Sequence, residues 1–472
     1  MLNKIKISVM KKFLLYILFF IPFCSFAQNI KTINVTEGDN LEELLGDKKY
    51  EIDSLVVTGY LKSSDFSLLR DCCYYGKLRG VNLFECNVEG DSIPSFAFWT
   101  SPFEDKGIEY ITLPKSLKKI CKAVFQNTNL HVIELPSTLN EIGDYAFCDS
   151  YGGNYKKVVI PEGVESIGYA AFKDAGIDTL VLASTVHEIS DYAFSGIAKH
   201  VEFKEGLEKV GIYTFRRGNF EELILPESLV ELSAFSFNEV SCLKRLVLPR
   251  RLKEIPDYNF TYGDFLESIA FPEELECLGN DVFNSTYKGK CLIFPESLKR
   301  IGEGCFGKLP NLEQLVLPSN IEFLGRTSFG EVSSKLKSVY IKNPIPPQSN
   351  SDPLYELSFI GLPDDAVLYV PVGSLEAYKA CDFFGRFKQI KEITNFPTGI
   401  DDTFVTNSKF GVIGGKGLLT ITSSQNAPYR VYMATGELLY QGVVKNGSAC
   451  LTLNPGLYLV NVDGFKKKVL VK

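Results

Sequence analysis

Histidine is scarce in this chain: His131, His187 and His200 are the only three among 472 residues. So few imidazoles, scattered along the sequence, argue against a histidine-centred metal site or acid–base pair. Tryptophan is reduced to Trp99. No Cys-x-x-Cys pair occurs, and G-x-x-x-x-G-K-[ST], G-x-S-x-G and H-E-x-x-H are all missing. The common signatures of nucleotide binding, serine hydrolysis and zinc proteolysis are therefore lacking. Carboxylates are plentiful but fall at scattered positions, as a solvated face would place them. No enzyme activity, cofactor or metal is expected.

The first residues read as an export signal. Lys11 and Lys12 precede an apolar stretch, residues 13–23, that is too short for a stable membrane span. Ser25-Phe26-Ala27 then offers a cleavage site, so residues 1–27 are expected to be removed, with Met10 as an alternative start. Pro22 and Phe23 before Cys24 are not the small residues that lipidation requires. Cleavage removes four lysines and no carboxylate, taking the formal charge from −7 to −11. An acidic exported chain is a poor nucleic-acid binder, because phosphate contacts need clustered cations.

What the chain does contain is a repeat. Its clearest copy runs Leu243-x-x-Leu246-x-Leu248-Pro249-x-x-Leu252-x-x-Ile255-x-x-x-x-Phe260. The closing phenylalanine recurs at Phe125, Phe147, Phe172, Phe194, Phe215, Phe237, Phe260, Phe283, Phe306 and Phe329, at intervals of 21 to 25 residues. A proline follows the first apolar pair in most copies, from Pro114 to Pro318, with Ala183 and Lys204 in its place twice. Leu246 and Leu248 are two apart, so in a strand they share a face. Pro249 carries no amide hydrogen and ends that strand. Leu252 and Ile255 turn inward from the next side, and Phe260 closes the coil. One coil cannot bury enough apolar surface to offset the entropy of ordering it, so the coils must stack with their strands paired. The predicted fold is mostly β: a solenoid of about 22–23 residues per coil with parallel sheets, followed by a small C-terminal β-sandwich.

The pattern Leu-x-x-Leu-x-Leu-Pro-x-x-Leu-x-x-Ile-Gly-x-x-x-Phe, carried for example by residues 312–329 with Gly325 at the turn, resembles the BspA-like leucine-rich repeats of bacterial surface proteins. The resemblance implies a curved β solenoid on an exported protein, often one involved in adhesion. Residues 28–105 read as divergent capping repeats, 106–345 as the solenoid, 346–394 as its C-terminal cap and 395–404 as a linker. A last solenoid strand is expected over 366–371 and a short helix over 378–387. Residues 405–472 switch to short alternating strands separated by Gly436, Asn446-Gly447, Pro455-Gly456 and Asp463-Gly464. With Arg430-Val431-Tyr432, Pro455-Gly456-Leu457-Tyr458 and a lysine-rich close through Lys472, this segment resembles the sorting domain of type IX secretion cargo. That resemblance implies a type IX translocon as a partner and delivery to the outer cell surface.

Eleven cysteines remain after residue 27. Those in the repeats sit at different repeat positions, so stacking does not pair them, and they read as free core residues. Cys72 or Cys73 with Cys86 is the one candidate disulfide, within the opening cap. For binding, the outward position between the strand hydrophobes reads Thr112, Glu134, Val159, Val181, Glu202, Ile224, Val247, Ala270, Ile293, Val316 and Tyr340. Most of these are apolar. Val159, Val181, Ile224, Val247, Ile293, Val316 and Tyr340 are therefore the candidate ligand-binding residues on an exposed sheet face, with an extracellular protein or glycan as the expected ligand. On this reading aspartate at Val181 and Val247 abolishes binding without disturbing the fold. Two alternatives are a self-associating component of the cell envelope and a degradative exoenzyme, the second disfavoured by the missing motifs. The register makes its own prediction: Phe260→Ala should lower stability by roughly 3–5 kcal/mol, seen as a fall in the thermal midpoint.

Overall fold

The computed structural model describes residues 29–397, apart from 104–105, 151–154, 197–198, 264–265, 268 and 351–357, and residues 410–471 apart from short breaks at turns. The expected export signal and most of the expected linker lie outside the described residues. The chain forms two compact units, one through Phe396 and one from Pro397. The first is mostly β and is a parallel solenoid.

Most coils of the solenoid open with a short strand whose central apolar residue is buried. Thr179–Val181 pairs in parallel with His200–Glu202, Glu222–Ile224 with Arg245–Val247, and Cys291–Ile293 with Gln314–Leu317. The following proline works through its carbonyl as well as through its missing N–H. Leu117 N donates to Pro114 O at 3.1 Å, Leu229 N to Pro226 O at 3.1 Å and Leu298 N to Pro295 O at 3.1 Å. A tight turn thus delivers the next core residue, which explains the fixed Pro-x-x-Leu spacing. Ala183 accepts from Val186 N in the same way, so the turn survives without proline.

A second, shorter strand then stacks on its neighbours. Ile93, Ile120, Ile142, Ile167, Ile189, Val210 and Leu232 are successive partners in one sheet, and Ile255, Leu278, Ile301 and Leu324 in the next. The break between Leu232 and Ile255 has a local cause. In neighbouring coils the residue after the isoleucine donates its N–H to the previous coil: Gly211 N reaches Ile189 O at 2.9 Å and Gly279 N reaches Ile255 O at 2.9 Å. Pro256 stands at that position and has no N–H to donate. Where glycine holds the position it also admits close approach: a Cβ on Gly302 would lie 2.3 Å from the Gly279 carbonyl.

The coil closes through a turn with left-handed residues on either side of the phenylalanine. Two positions before it stand Ala123, Tyr145, Ala170, Tyr192, Tyr213, Phe235, Tyr258, Asp281, Gly304 and Thr327, all at positive φ. Two positions after it, Asn127, Asp149, Asp174, Gly196, Arg217, Glu239, Tyr262 and Ser285 are also left-handed. Such a backbone is costly for most residues, and the coil-to-coil ladder holds it in place. Phe125 N donates to Ala146 O at 2.8 Å, Phe147 N to Ala171 O at 2.7 Å and Phe283 N to Cys305 O at 2.9 Å. The phenylalanines are buried and stacked, with centroids 5.1 Å apart at Phe125–Phe147, 4.8 Å at Phe147–Phe172, 5.4 Å at Phe237–Phe260 and 5.7 Å at Phe260–Phe283. The stack runs beyond the expected ten: Phe98 joins below Phe125 at 5.6 Å, and Phe359 joins above Phe329 at 5.7 Å.

Both ends differ in part from expectation. The opening segment contains two helices, Leu41–Leu45 and Asp65–Tyr74, around the parallel strands Ile30–Val35, Ser54–Leu61 and Gly80–Asn82. Cys72, Cys73 and Cys86 are buried free thiols, so the candidate cap disulfide is not formed. Cys86 pairs across from Gly59 on a strand, and its thiol donates to the Asn87 carbonyl at 3.2 Å. Cys72 and Cys73 lie in the last turns of the helix that starts at Asp65. Seven residues of helix rise about 10 Å, which carries them away from the Cys86 end. At the other end Val367–Pro371 is not the last strand, because Gln389–Ile393 pairs beyond it, and the helix is Leu375–Lys379, earlier than expected.

The second unit holds two antiparallel sheets. One comprises Phe410–Gly414, Leu418–Ser423 and Gly447–Thr452; the other comprises Leu438–Val444, Ala427–Met433, Gly456–Val462 and Phe465–Val471. Leu419, Ile421, Val431, Val460 and Val462 form one small core. The lysine-rich close, Phe465–Val471, pairs as an edge strand, where lysines are well tolerated.

One side chain repairs the ladder beside Pro256. Asn259 is fully buried; its Oδ1 accepts Phe237 N at 3.1 Å, and its Nδ2 donates to Ser233 O at 3.1 Å and Pro256 O at 3.0 Å. Alanine has the right size here, since Ala146, Ala171 and Ala193 fill the same column. Asn259→Ala should nonetheless cost about 1–3 kcal/mol in urea unfolding, because buried polar groups lose their partners. Adding Pro256→Gly should recover part of that loss by restoring a backbone donor.

Candidate functional site

The outward column of the strand face is in register but not uniformly open. Val159 faces Val181, and Val181 faces Glu202. Ile224 faces Val247, which bridges to Ala270. Ile293 faces Val316, Val316 faces Tyr340, and Tyr340 faces Tyr369. Val159 and Ile224 are exposed, at 47% and 48%, while Val247, Ile293 and Tyr340 are half-buried. Val181 is only 7% exposed and Val316 only 1%.

The expectation that the whole column faces solvent therefore fails at Val181 and Val316. Ile293 and the Tyr340 ring lie on either side of Val316 and cover it, whereas Val247 has only small Ala270 on one side. Aspartate at Val181 would bury a charge, contrary to the tolerance expected of it. Glu202 also interrupts the apolar run, leaving one cluster at Val159, one at Ile224 and Val247, and one at Ile293, Tyr340 and Tyr369.

The last cluster extends past the repeats. Tyr369 lies in the C-terminal cap, and its ring stacks on Tyr340 at 4.7 Å and 11°. Its place in the column was not read from the sequence, because the cap strand lacks the repeat pattern. The flanks are polar. Lys199 pairs with Asp178 at 2.9 Å, Lys244 with Glu221 at 3.2 Å, Arg245 with Glu222, and the His131 ring packs on Tyr110 at 5.1 Å. These exposed pairs contribute little to stability but rim the apolar clusters with charge.

A second surface feature lies on the turn edge. Tyr145, Tyr169, Tyr192, Tyr213, Phe235 and Tyr258 form an unbroken row of rings on six consecutive coils, with centroids 5.3, 5.7, 5.0, 4.7 and 4.5 Å apart. Tyr169 and Tyr258 are exposed, and the other four are half-buried. The row was not anticipated. Its signal was the aromatic residue two positions before the closing phenylalanine, hidden by Ala170, which displaces the ring by one position to Tyr169.

Five of the thiols are poor nucleophiles. Burial pushes Cys72, Cys86 and Cys277 up to about 11, and pushes Cys73 and Cys305 higher still. Among the described residues no group of three or more His, Cys, Asp or Glu is placed to hold a metal, and no helix is long and apolar enough to cross a membrane. The exposed apolar clusters suit contact with a partner surface.

The model of the BspA-type leucine-rich repeat region matches residues 71–199, 167–288 and 243–349, in six copies. Together these spans cover more than half of the chain. Among solved structures, a leucine-rich repeat protein from Bacteroides ovatus is 20% identical over 78% of this chain and 92% of its own, with a TM-score of 0.45. The pneumococcal vaccine antigen PcpA is 21% identical over 78% of this chain and 90% of its own, with a TM-score of 0.41. A leucine-rich repeat protein from Eubacterium ventriosum is 19% identical over 58% of this chain and 86% of its own, with a TM-score of 0.29. No curated protein matches the chain.

The unequal exposure along the strand column separates two classes of substitution. Val316→Asp should lower the unfolding midpoint strongly, by several kcal/mol of stability, because it places a carboxylate in a covered site. Val159→Asp should leave the midpoint within about 0.5 kcal/mol of the parent.

Proposed function

This chain belongs to the BspA-type leucine-rich repeat family, and from that premise we propose that it is an exported, non-catalytic scaffold holding an extracellular protein or glycan on its strand face. The observation that carries the reading is the exposure of apolar groups on a paired parallel sheet: Val159 at 47% and Ile224 at 48%, with half-buried Val247, Ile293 and Tyr340 in the same column and ion pairs on the flanks. Apolar clusters of this kind, rimmed by polar groups, are the anatomy of an interaction site. Val181 and Val316 lie in the same column but are covered by their surroundings.

Residues 1–27 would direct the chain into the Sec pathway, and residues 405–472 would be read by a type IX translocon that delivers it to the outer surface. Two solved structures it resembles carry surface-related names, the pneumococcal vaccine antigen PcpA and a leucine-rich cell surface protein from Faecalibacterium prausnitzii. The competing reading makes the same clusters a self-interface in an envelope assembly.

The test is to probe the mature chain against extracellular-matrix proteins, mucins and glycans, with light scattering in parallel. A scaffold gives a specific hit from a monomer, and Val159→Asp combined with Ile224→Asp removes the hit without moving the melting curve. A concentration-dependent oligomer that the same double variant dissolves, with no hit, would replace the scaffold by the assembly reading.

A further inference from the structure

The strand face leaves the aromatic row on the turn edge unexplained, and the fold does not require that row. Ala123 and Ala170 occupy the same turn position as Tyr145, Tyr192, Tyr213, Phe235 and Tyr258 with the same left-handed backbone, φ 53° and 50° against 55–61°. A small residue therefore satisfies the turn, and a bulky ring at positive φ is the costlier choice. At the coil where Ala170 breaks the column, Tyr169 supplies a ring from the neighbouring position and keeps the row continuous.

The electrostatics of the row point to one kind of partner. Ring faces carry negative charge density, and two of the six already attract a cation of the chain itself. Lys122 Nζ lies 5.7 Å from the centre of the Tyr145 ring, and the Arg216 guanidinium 5.3 Å from that of Tyr213. Carboxylates line the same edge and are held in place by backbone donors of the next coil. Asp144 Oδ1 accepts Tyr169 N at 2.9 Å, Asp191 Oδ1 accepts Ile212 N at 2.7 Å, and Asp257 Oδ1 accepts Asn280 N at 2.7 Å. Carboxylates also act on the phenols: Asp281, then burial and Asp257, raise the Tyr258 hydroxyl, while Tyr192 is raised by burial and neighbouring tyrosines, with Arg216 opposing and Asp191 adding to the rise. Three of the six ring-bearing coils carry a carboxylate directly before the ring, so the edge favours positive charge, with coils repeating about every 5 Å.

We propose that this row docks an extended lysine- and arginine-rich segment of a partner protein, whose basic side chains lie over the rings and between the carboxylates. Lys122 and Arg216 mark how such side chains sit. The surface is separate from the strand face, so this inference and the scaffold reading can fail independently.

The experiment titrates the full mature chain with labelled oligo-arginine, oligo-glutamate and a neutral glucan oligosaccharide. Oligo-arginine should bind, more weakly as salt rises, and oligo-glutamate and the glucan should not. Tyr169→Ala with Tyr192→Ala should weaken oligo-arginine by about tenfold or more. That variant keeps the net charge, so unspecific attraction to an acidic chain predicts no change. Asp191→Asn with Asp257→Asn keeps the backbone acceptors, removes two charges and should also weaken binding. Tyr192→Phe with Tyr258→Phe keeps the rings and should bind as the parent does, which guards against a folding effect, as does an unchanged melting curve. Val159→Asp with Ile224→Asp should leave the affinity unaltered. Unchanged affinity in the Tyr169/Tyr192 variant, no binding of oligo-arginine at low salt, or glucan binding that this variant abolishes would each overturn the proposal.

Discussion

The separation between successive coils is the constraint on which the rest of the structure depends. Paired strands fix it near 4.8 Å, and stacked phenyl rings accept a similar separation. Observed centroid distances run from 4.8 Å at Phe147–Phe172 to 5.9 Å at Phe306–Phe329. Because both systems agree, one coil presents the next with a ring below, a strand edge beside it and carbonyls at the turn. In most coils the phenylalanine amide then meets the carbonyl of the residue before the next phenylalanine, and left-handed residues that would be costly alone are held by many bonds at once. The same constraint buries the residue before the phenylalanine and keeps it small in several coils: Ala146, Ala171, Ala193 and Cys305 are all fully buried.

A periodic interior imposes a periodic surface, and this makes the chain a display frame. Every outward position repeats once per coil, so side chains of one type become rows. Many rows only brace the frame. Glu162 accepts from Ser184 N and from Lys204, and Glu296 accepts from Ser319 N and from Lys342 two coils away. Those bonds, Lys204 first, hold the Glu162 carboxyl down to about 2, so this brace stays charged through the ordinary pH range. Val316 belongs to the frame as well, since its neighbours seal it. The exposed members of the strand column and the aromatic row are different, because packing alone does not demand them.

The ends show how a solenoid stops. At the start, two short helices and an irregular parallel sheet cover the first coil, and buried Phe66 meets the end of the phenyl stack edge-on at Phe98, 6.0 Å away. At the finish, Phe359 takes the last place in the stack and is enclosed by Phe383, Phe384 and Phe387. Tyr378, fully buried, donates its hydroxyl to Asn343 O at 2.7 Å and ties the closing helix to the last coil. Aromatic bulk does at each end what the next coil does in the middle.

The repeat period, the identity of the core residues and the turn after each first strand were legible in the residues themselves. Apolar spacing within one coil is local information, and ten registered copies leave one way to stack them. Exposure is not local. Whether Val247 or Val316 meets solvent depends on Ala270 or Tyr340 in the coil beside it, so a column that looked uniform divided into open and covered rungs. Tyr369 entered that column from a segment without the repeat, and Tyr169 joined the aromatic row from one position before that of the other rings. Pro256 was visible, but its effect on the sheet and the repair by Asn259 required knowing which carbonyl lay opposite. Cys72, Cys73 and Cys86 were close in sequence, yet a helix separates them in space. By itself the sequence determined the period, the core and the stack; only tertiary structure decided which side chains each neighbouring coil leaves uncovered, because accessibility belongs to pairs of coils and not to any one of them.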